Sequence, residues 1–156
     1  MERVLLANEL YGASADIAEQ CARSRTFFAI ENPTNSLMWS TEPMRRVQAL
    51  PGVVDVHYQA CMFGGKRSKR KTLRTNLHSL TKMAVMCDDS HSHLGWGYDS
   101  SNNRWATTLE AEYPVQFCKE LASVVAAAAT QHGIVLNPSS LTEAVENGKQ
   151  LNRSSF

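Results

Sequence analysis

The chain has 156 residues, 43% of them hydrophobic and 20% charged, a balance that fits one domain with a modest core. With 16 Lys and Arg against 15 Asp and Glu the formal charge is +1, so nothing global draws nucleic acid or a membrane, and such a partner must be met by a local patch. No apolar run reaches the ~18 residues of a membrane span, and the opening MERVLLANEL lacks the apolar core and cleavage site of a signal peptide.

In chain order, Val4, Leu6, Leu10, Tyr11, Ile17, Ala18 and Cys21 recur at helical spacing and predict a helix over 2–23, weakened at Gly12 and Ser14. Thr26 to Ile30 is a continuous apolar run, read as a buried strand that stops at Glu31-Asn32-Pro33, where proline removes an amide donor. Leu37 to Trp39 forms one helical turn. Thr41-Glu42-Pro43 starts a helix with an apolar side of Met44, Val47 and Leu50, broken by Pro51-Gly52. Val53 to Tyr58 is a second strand and Thr72 to Asn76 a third, with a short helix at Leu77 to Met83. Residues 87–104 read as a long polar loop. Thr107 with Glu110 suggests a capping box, and Val115 to His132 is the longest helix, stopped by Gly133. A short helix at Leu141 to Val145 lies in a polar, flexible tail over 136–156, beyond a domain of residues 1–135.

Strands alternating with helices predict an α/β fold: a partial Rossmann-like open sheet of about three strands, partly parallel, with flanking helices and a long C-terminal helix. Three strands leave edges and an apolar face poorly covered. The chain therefore reads as part of a larger α/β unit or as one half of a homodimer.

Three features carry chemistry. Glu31 and Asn32 follow a strand, where ligands sit in open α/β folds, and a carboxylate there can accept hydrogen bonds from a base edge; a plain strand-to-turn sequence is the alternative. Gly64-Gly65 lead into Lys66, Arg67, Ser68, Lys69, Arg70 and Lys71, with Arg74 beyond, cations able to contact phosphates. A solvated loop or a nuclear-import-like signal are the other readings. Cys87, His91 and His93 lie within seven residues and can bind zinc with a fourth ligand from Cys61 or Cys118, pinning the loop; a polar turn with histidines is the ordinary alternative. The four cysteines, Cys21, Cys61, Cys87 and Cys118, have no CxxC pair and read as reduced thiols of an intracellular protein, buried by default. Trp39, Trp96 and Trp105 are read first as packing residues, although Trp96 between two glycines can stack on a base.

Taken together, Glu31-Asn32 at a strand end and Phe63-Gly64 ahead of a basic stretch and a strand resemble the second half of DNA (cytosine-5) methyltransferases. Pro33 departs from that family's Glu-Asn-Val, Lys66 and Arg67 stand where it has Pro-Gln, and Lys69 and Lys71 replace two arginines. The chain is more similar still to a divergent, mobile-element-associated methyltransferase-like module. That similarity rests on residues 31–39, Cys61 to Gly64, the stretch around Thr72, Cys87 to His93 and Tyr113 to Lys119, and it covers roughly residues 3–130. The resemblance implies that Glu31, with Asn32, holds a flipped cytosine and that the basic loop contacts DNA. It also implies a glycine-rich turn for S-adenosylmethionine and a Pro-Cys nucleophile. Neither is present: no proline precedes a cysteine, and no glycine pair follows a strand and opens a helix. The expected protein is a fragment or split half of such a domain, inactive alone, binding no cofactor of its own and completed by an N-terminal half. The alternatives are a non-catalytic nucleic-acid-binding module using residues 66–74, nuclear in that case, or a degenerate mobile-element remnant.

Overall fold

A computed structural model describes residues 2–109 and 112–133. They divide into two units, one up to Leu121 and one from Ala122 onward, and the sheet and both candidate sites belong to the first. The expected tail helix at Leu141 to Val145, and Glu110 of the capping box, lie outside the described residues.

The chain opens with α1 (Glu2–Arg23), then β1 (Ala29–Pro33), a 3-10 turn at Leu37–Ser40, α2 (Glu42–Gln48) and β2 (Val54–Gln59). A second 3-10 turn at Ala60–Phe63 precedes β3 (Arg70–Thr75), and a third spans His78–Met83. A small hairpin of β4 (Tyr98–Asp99) and β5 (Arg104–Trp105), a short α3 (Ala106–Leu109) and a long α4 (Val115–Gln131) complete the order. The mixed α/β class, the three-stranded open sheet and the long C-terminal helix are as the sequence predicts. Gly133, at φ 71°, ends the helix, its amide bonded to Thr130 O.

The expected parallel pairing is overturned. The sheet order is β1-β3-β2, and both pairings are antiparallel, with Ile30 opposite Arg74 and Asp55 opposite Arg74. The physical reason lies in the connections. β2 and β3 are joined by residues 60–69, which fold back through a 3-10 turn capped by Gly64 and so allow an antiparallel pairing, and β3 then slots between β2 and β1. β1 and β2 do run the same way, as a strand–helix–strand connection through α2 requires, but β3 separates them. The first strand is also shifted: it covers Ala29–Pro33 rather than Thr26 to Ile30, so Glu31 and Asn32 lie within it. β1 is an edge strand, and an edge tolerates a terminal proline.

Alternation along the strands gives the sheet two faces. Ile30 packs with Phe28 and Trp39 against Ala15 and Ala18 of α1, Met44 and Val47 of α2, and Met38. On the other face Tyr58 stacks on Phe117 (4.9 Å, 15°) and meets Phe63 edge-on (5.6 Å). Trp39 packs as expected, its Nε1 donating to Pro33 O at 2.9 Å. Among the described residues no helix is long and apolar enough to cross a membrane.

Candidate metal centre and basic groove

The end of β2 fixes the first site. After Gln59 the chain turns through Ala60–Phe63 and is capped by Gly64 in the left-handed region (φ 87°). Gly65 N donates to Ala60 O at 2.9 Å. Gln59 is buried and joins three segments. Its backbone amide donates to Val85 O (3.0 Å), its Oε1 accepts from Cys87 N (2.9 Å), and its Nε2 donates to Ser68 Oγ (3.0 Å). Cys87 is thereby held beside Cys61. Cys87 Sγ lies 3.8 Å from His91 Nε2 and 3.6 Å from His93 Nε2, and the two imidazoles are 4.7 Å apart. Ligand atoms of Cys61, Cys87, His91 and His93 all fall within 4.8 Å of one another. Burial, followed by the neighbouring Cys87, pushes the Cys61 thiol up. Two sulfurs and two imidazole nitrogens at this spacing can hold a metal ion. Of the two candidates for the fourth ligand, the cluster takes Cys61. Cys118 is exposed, against the expectation of burial; Cys21 and Cys87 are half-buried, and all four thiols are free.

Glu31 occupies a different place. Its side chain is 14% exposed and lies 2.6 Å from Lys71 Nζ. This contact is coulombic, since the oxygen facing Lys71 makes no well-angled hydrogen bond. Tyr113 Oη donates to its other oxygen. Lys71 also sits 5.5 Å from the Tyr113 ring. Tyr58, Lys69, Lys71 and Tyr113 line a cavity of about 60 Å³. Burial pushes both tyrosine phenols up, and Glu31 adds to each. Asn32 is elsewhere, its Nδ2 donating to Met38 Sδ at 3.0 Å.

The basic stretch divides by environment. Arg70 and Lys71 belong to β3 rather than to a loop. Lys66 and Arg70 are exposed. Arg67 is buried, its Nε donating to Gly95 O (2.9 Å) and its guanidinium lying 5.9 Å from the centre of the Trp96 ring. Lys69 is half-buried at the cavity. Arg74 is fully buried against Asp55. A groove of about 430 Å³ runs past Gly64, Gly65, Lys66 and Arg67, with the carboxylates Asp99 and Glu112 also on its walls.

The chain matches no family model, no curated protein and no solved structure.

Gln59 is the residue that sequence reasoning missed. A glutamine ending a strand of alternating burial carries no distinctive signal until its three partners are placed. Asp55 was missed for the same reason: its partner Arg74 lies 19 residues away.

Proposed function

We propose that this chain is a zinc-pinned nucleic-acid-binding module. The observation that carries it is the convergence of Cys61, Cys87, His91 and His93 within 4.8 Å. A tetrahedral zinc with two sulfur and two nitrogen ligands needs ligand atoms about 3.3–3.8 Å apart, and Cys87 lies 3.6 and 3.8 Å from the two histidines. Cys61 comes from the 3-10 turn and the other three ligands from irregular backbone, and the set supplies all four positions, as a structural zinc does. Such an ion would cross-link the turn after β2 to the 87–93 loop. It would thereby fix the segment that carries Leu94, Gly95 and Trp96 over the basic stretch, where Leu94 N donates to Lys66 O at 2.9 Å. Lys66, which lines the groove there, and Arg70, exposed at the start of β3, would neutralise phosphates.

The test has two parts. Metal analysis of the purified chain is expected to give one zinc per chain, and Cys87→Ser none. Binding to labelled DNA is expected to weaken with salt, and Lys66→Ala and Arg70→Ala each to reduce the salt slope by about one. A chain that binds no metal, or whose affinity is flat with salt, sinks the corresponding half.

A second reading is favoured by one observation, the nearly buried Glu31 carboxylate on the sheet. As the second half of a methyltransferase-like domain, the chain would offer Glu31 to a flipped base, with S-adenosylmethionine and the cysteine supplied by the other half. The base would have to displace Tyr113 and Lys71 from that carboxylate. Co-expression with a candidate first half, followed by a methyl-transfer assay and the Glu31→Gln variant, decides it. Methylation that survives Glu31→Gln, or that never appears, removes this reading.

A further inference from the structure

We infer that the aromatic groove beside Trp96 takes an unstacked base of single-stranded nucleic acid, one that carries an exocyclic amino group. This deepens the nucleic-acid reading above and rests on it.

Trp96 stands between Gly95 and Gly97 and is half exposed. A buried packing role is excluded by that exposure, yet the ring is not adrift. Arg67, itself only 5% exposed, is tied to Gly95 O and holds its guanidinium over the indole, 5.9 Å from the ring centre. The cation backs one side of the ring, and the exposed remainder is a platform on which a base can stack. Arg67, Leu94, Trp96, Tyr98 and Asp99 surround a groove of about 340 Å³ here, within the range of small-ligand sites. Tyr98 is also half exposed, braced edge-on by Trp105 at 5.5 Å.

This groove adjoins the one beside Lys66, since both are lined by Arg67, Leu94 and Asp99. A strand can therefore lay its phosphate at Lys66 while its base enters beside Trp96. A duplex cannot do this without unstacking, because its base faces are covered. Asp99 sets the base chemistry. Hydrogen bonds from Ser101, then Asn102, hold its carboxyl at about 2, so it is ionised and accepts only. One of its oxygens takes a single hydrogen bond, from Asn102 Nδ2 at 2.9 Å, and keeps capacity for another. Cytosine, adenine and guanine each offer an amino N–H to such an oxygen. Thymine and uracil present their one N–H between two carbonyl oxygens, which the carboxylate repels.

The experiment is fluorescence anisotropy on the metal-loaded full chain with short labelled strands of cytosine, adenine or thymine as DNA, the cytosine, adenine and uracil strands as RNA, and a mixed duplex. Cytosine and adenine strands are expected to bind several-fold tighter than thymine or uracil strands and tighter than duplex. Trp96→Ala should cost about tenfold on those strands, with the salt slope unchanged, and Trp96→Phe should restore most of it. Asp99→Asn should remove the base preference. Metal content of each variant confirms that it has folded. The DNA and RNA arms assign the sugar, and tight binding in either supports the inference. Duplex bound as tightly as strands, with Trp96→Ala neutral, overturns it while leaving the basic-surface reading intact. No binding to any of these by the native chain fails that reading itself.

Discussion

Arg74 on β3 faces Asp55 on β2 and grips its carboxylate as a fork, Nε to Oδ1 at 2.7 Å and Nη2 to Oδ2 at 2.8 Å. The remaining Nη1 donates to Met44 O at 2.7 Å, and the guanidinium lies 4.8 Å from the centre of the Trp39 ring. One side chain thus joins the middle strand, an edge strand, α2 and the turn after β1. With Arg74 2% exposed, removing its partner leaves a buried charge. Asp55→Ala is expected to cost about 3 kcal/mol in urea denaturation, the low end of that range because Asp55 itself is 20% exposed. Arg74→Lys should also destabilise, since an ammonium cannot form the fork. Arg70→Ala, at the exposed start of the same strand, should leave stability within about 0.5 kcal/mol. A neutral Asp55→Ala contradicts this account of the sheet.

Arg74 also shows where the sequence stops being legible. Within Lys66 to Arg74 every cation reads alike, as a candidate phosphate contact. Register separates them: Arg74 and Thr72 point to the α2 face, Lys71 to the Tyr58 face, and only Lys66 and Arg70 remain exposed. Helices were readable because their apolar spacing is local, so α1, α2 and α4 fall where expected. Strand direction was not, because the β2–β3 hairpin closes through a glycine-rich turn inside a segment that reads as charged loop. At the metal cluster, Cys87, His91 and His93 are neighbours in sequence and could be found there. Selecting Cys61 over Cys118 required Gln59, whose hydrogen bonds cross 28 residues.

Removing the proposed metal ion should loosen one segment and spare another. Residues 84–93 have few regular backbone bonds and hang on Gln59 and the four ligands, whereas β1, β2 and β3 are paired along their lengths. A chelator, or His93→Ala, is expected to raise amide exchange around 87–97 and to lower the melting temperature, with the sheet amides still protected. Uniform deprotection of the sheet would mean that the ion supports the whole fold rather than the loop.

Gly65 gives a test that does not involve the ligands. A Cβ there would sit 2.8 Å from Ala60 O and 2.9 Å from its carbonyl carbon, both backbone atoms that cannot swing away. Gly65→Ala must therefore open the turn that carries Cys61. The expected cost is about 1–3 kcal/mol, as for overpacking elsewhere, together with weaker metal binding. Gly12→Ala, where a Cβ meets nothing within 4 Å, is the control and should be neutral or slightly stabilising. Equal behaviour of the two variants would show that the turn is not tightly held.

Tyr58 is 2% exposed, and its hydroxyl makes no hydrogen bond although it borders the 60 Å³ cavity. Its ring is well used, stacked on Phe117 and edge-on to Phe63. Tyr58→Phe keeps the ring and deletes a buried polar group that has no partner, so stability at neutral pH should stay level or rise by about 1 kcal/mol. Alkali adds a second signature. Burial, then the nearby Glu31, holds the folded phenol above its ordinary value, near 10 in an unfolded chain. Below about pH 10 both states keep the proton and the contribution is complete. As pH rises beyond that point the unfolded chain ionises first, binds fewer protons than the folded one, and stability falls. Thermal denaturation between pH 8 and 11 should therefore show an alkaline loss that is smaller in Tyr58→Phe. What remains in the variant should come from Tyr113, whose phenol is raised in the same direction by burial and by its hydrogen bond to Glu31, and from the Cys61 thiol, raised by burial. If Tyr58→Phe instead costs more than about 1 kcal/mol at neutral pH, the hydroxyl has a partner in solution, and a water held in the cavity between Tyr58 and Lys71 would supply it.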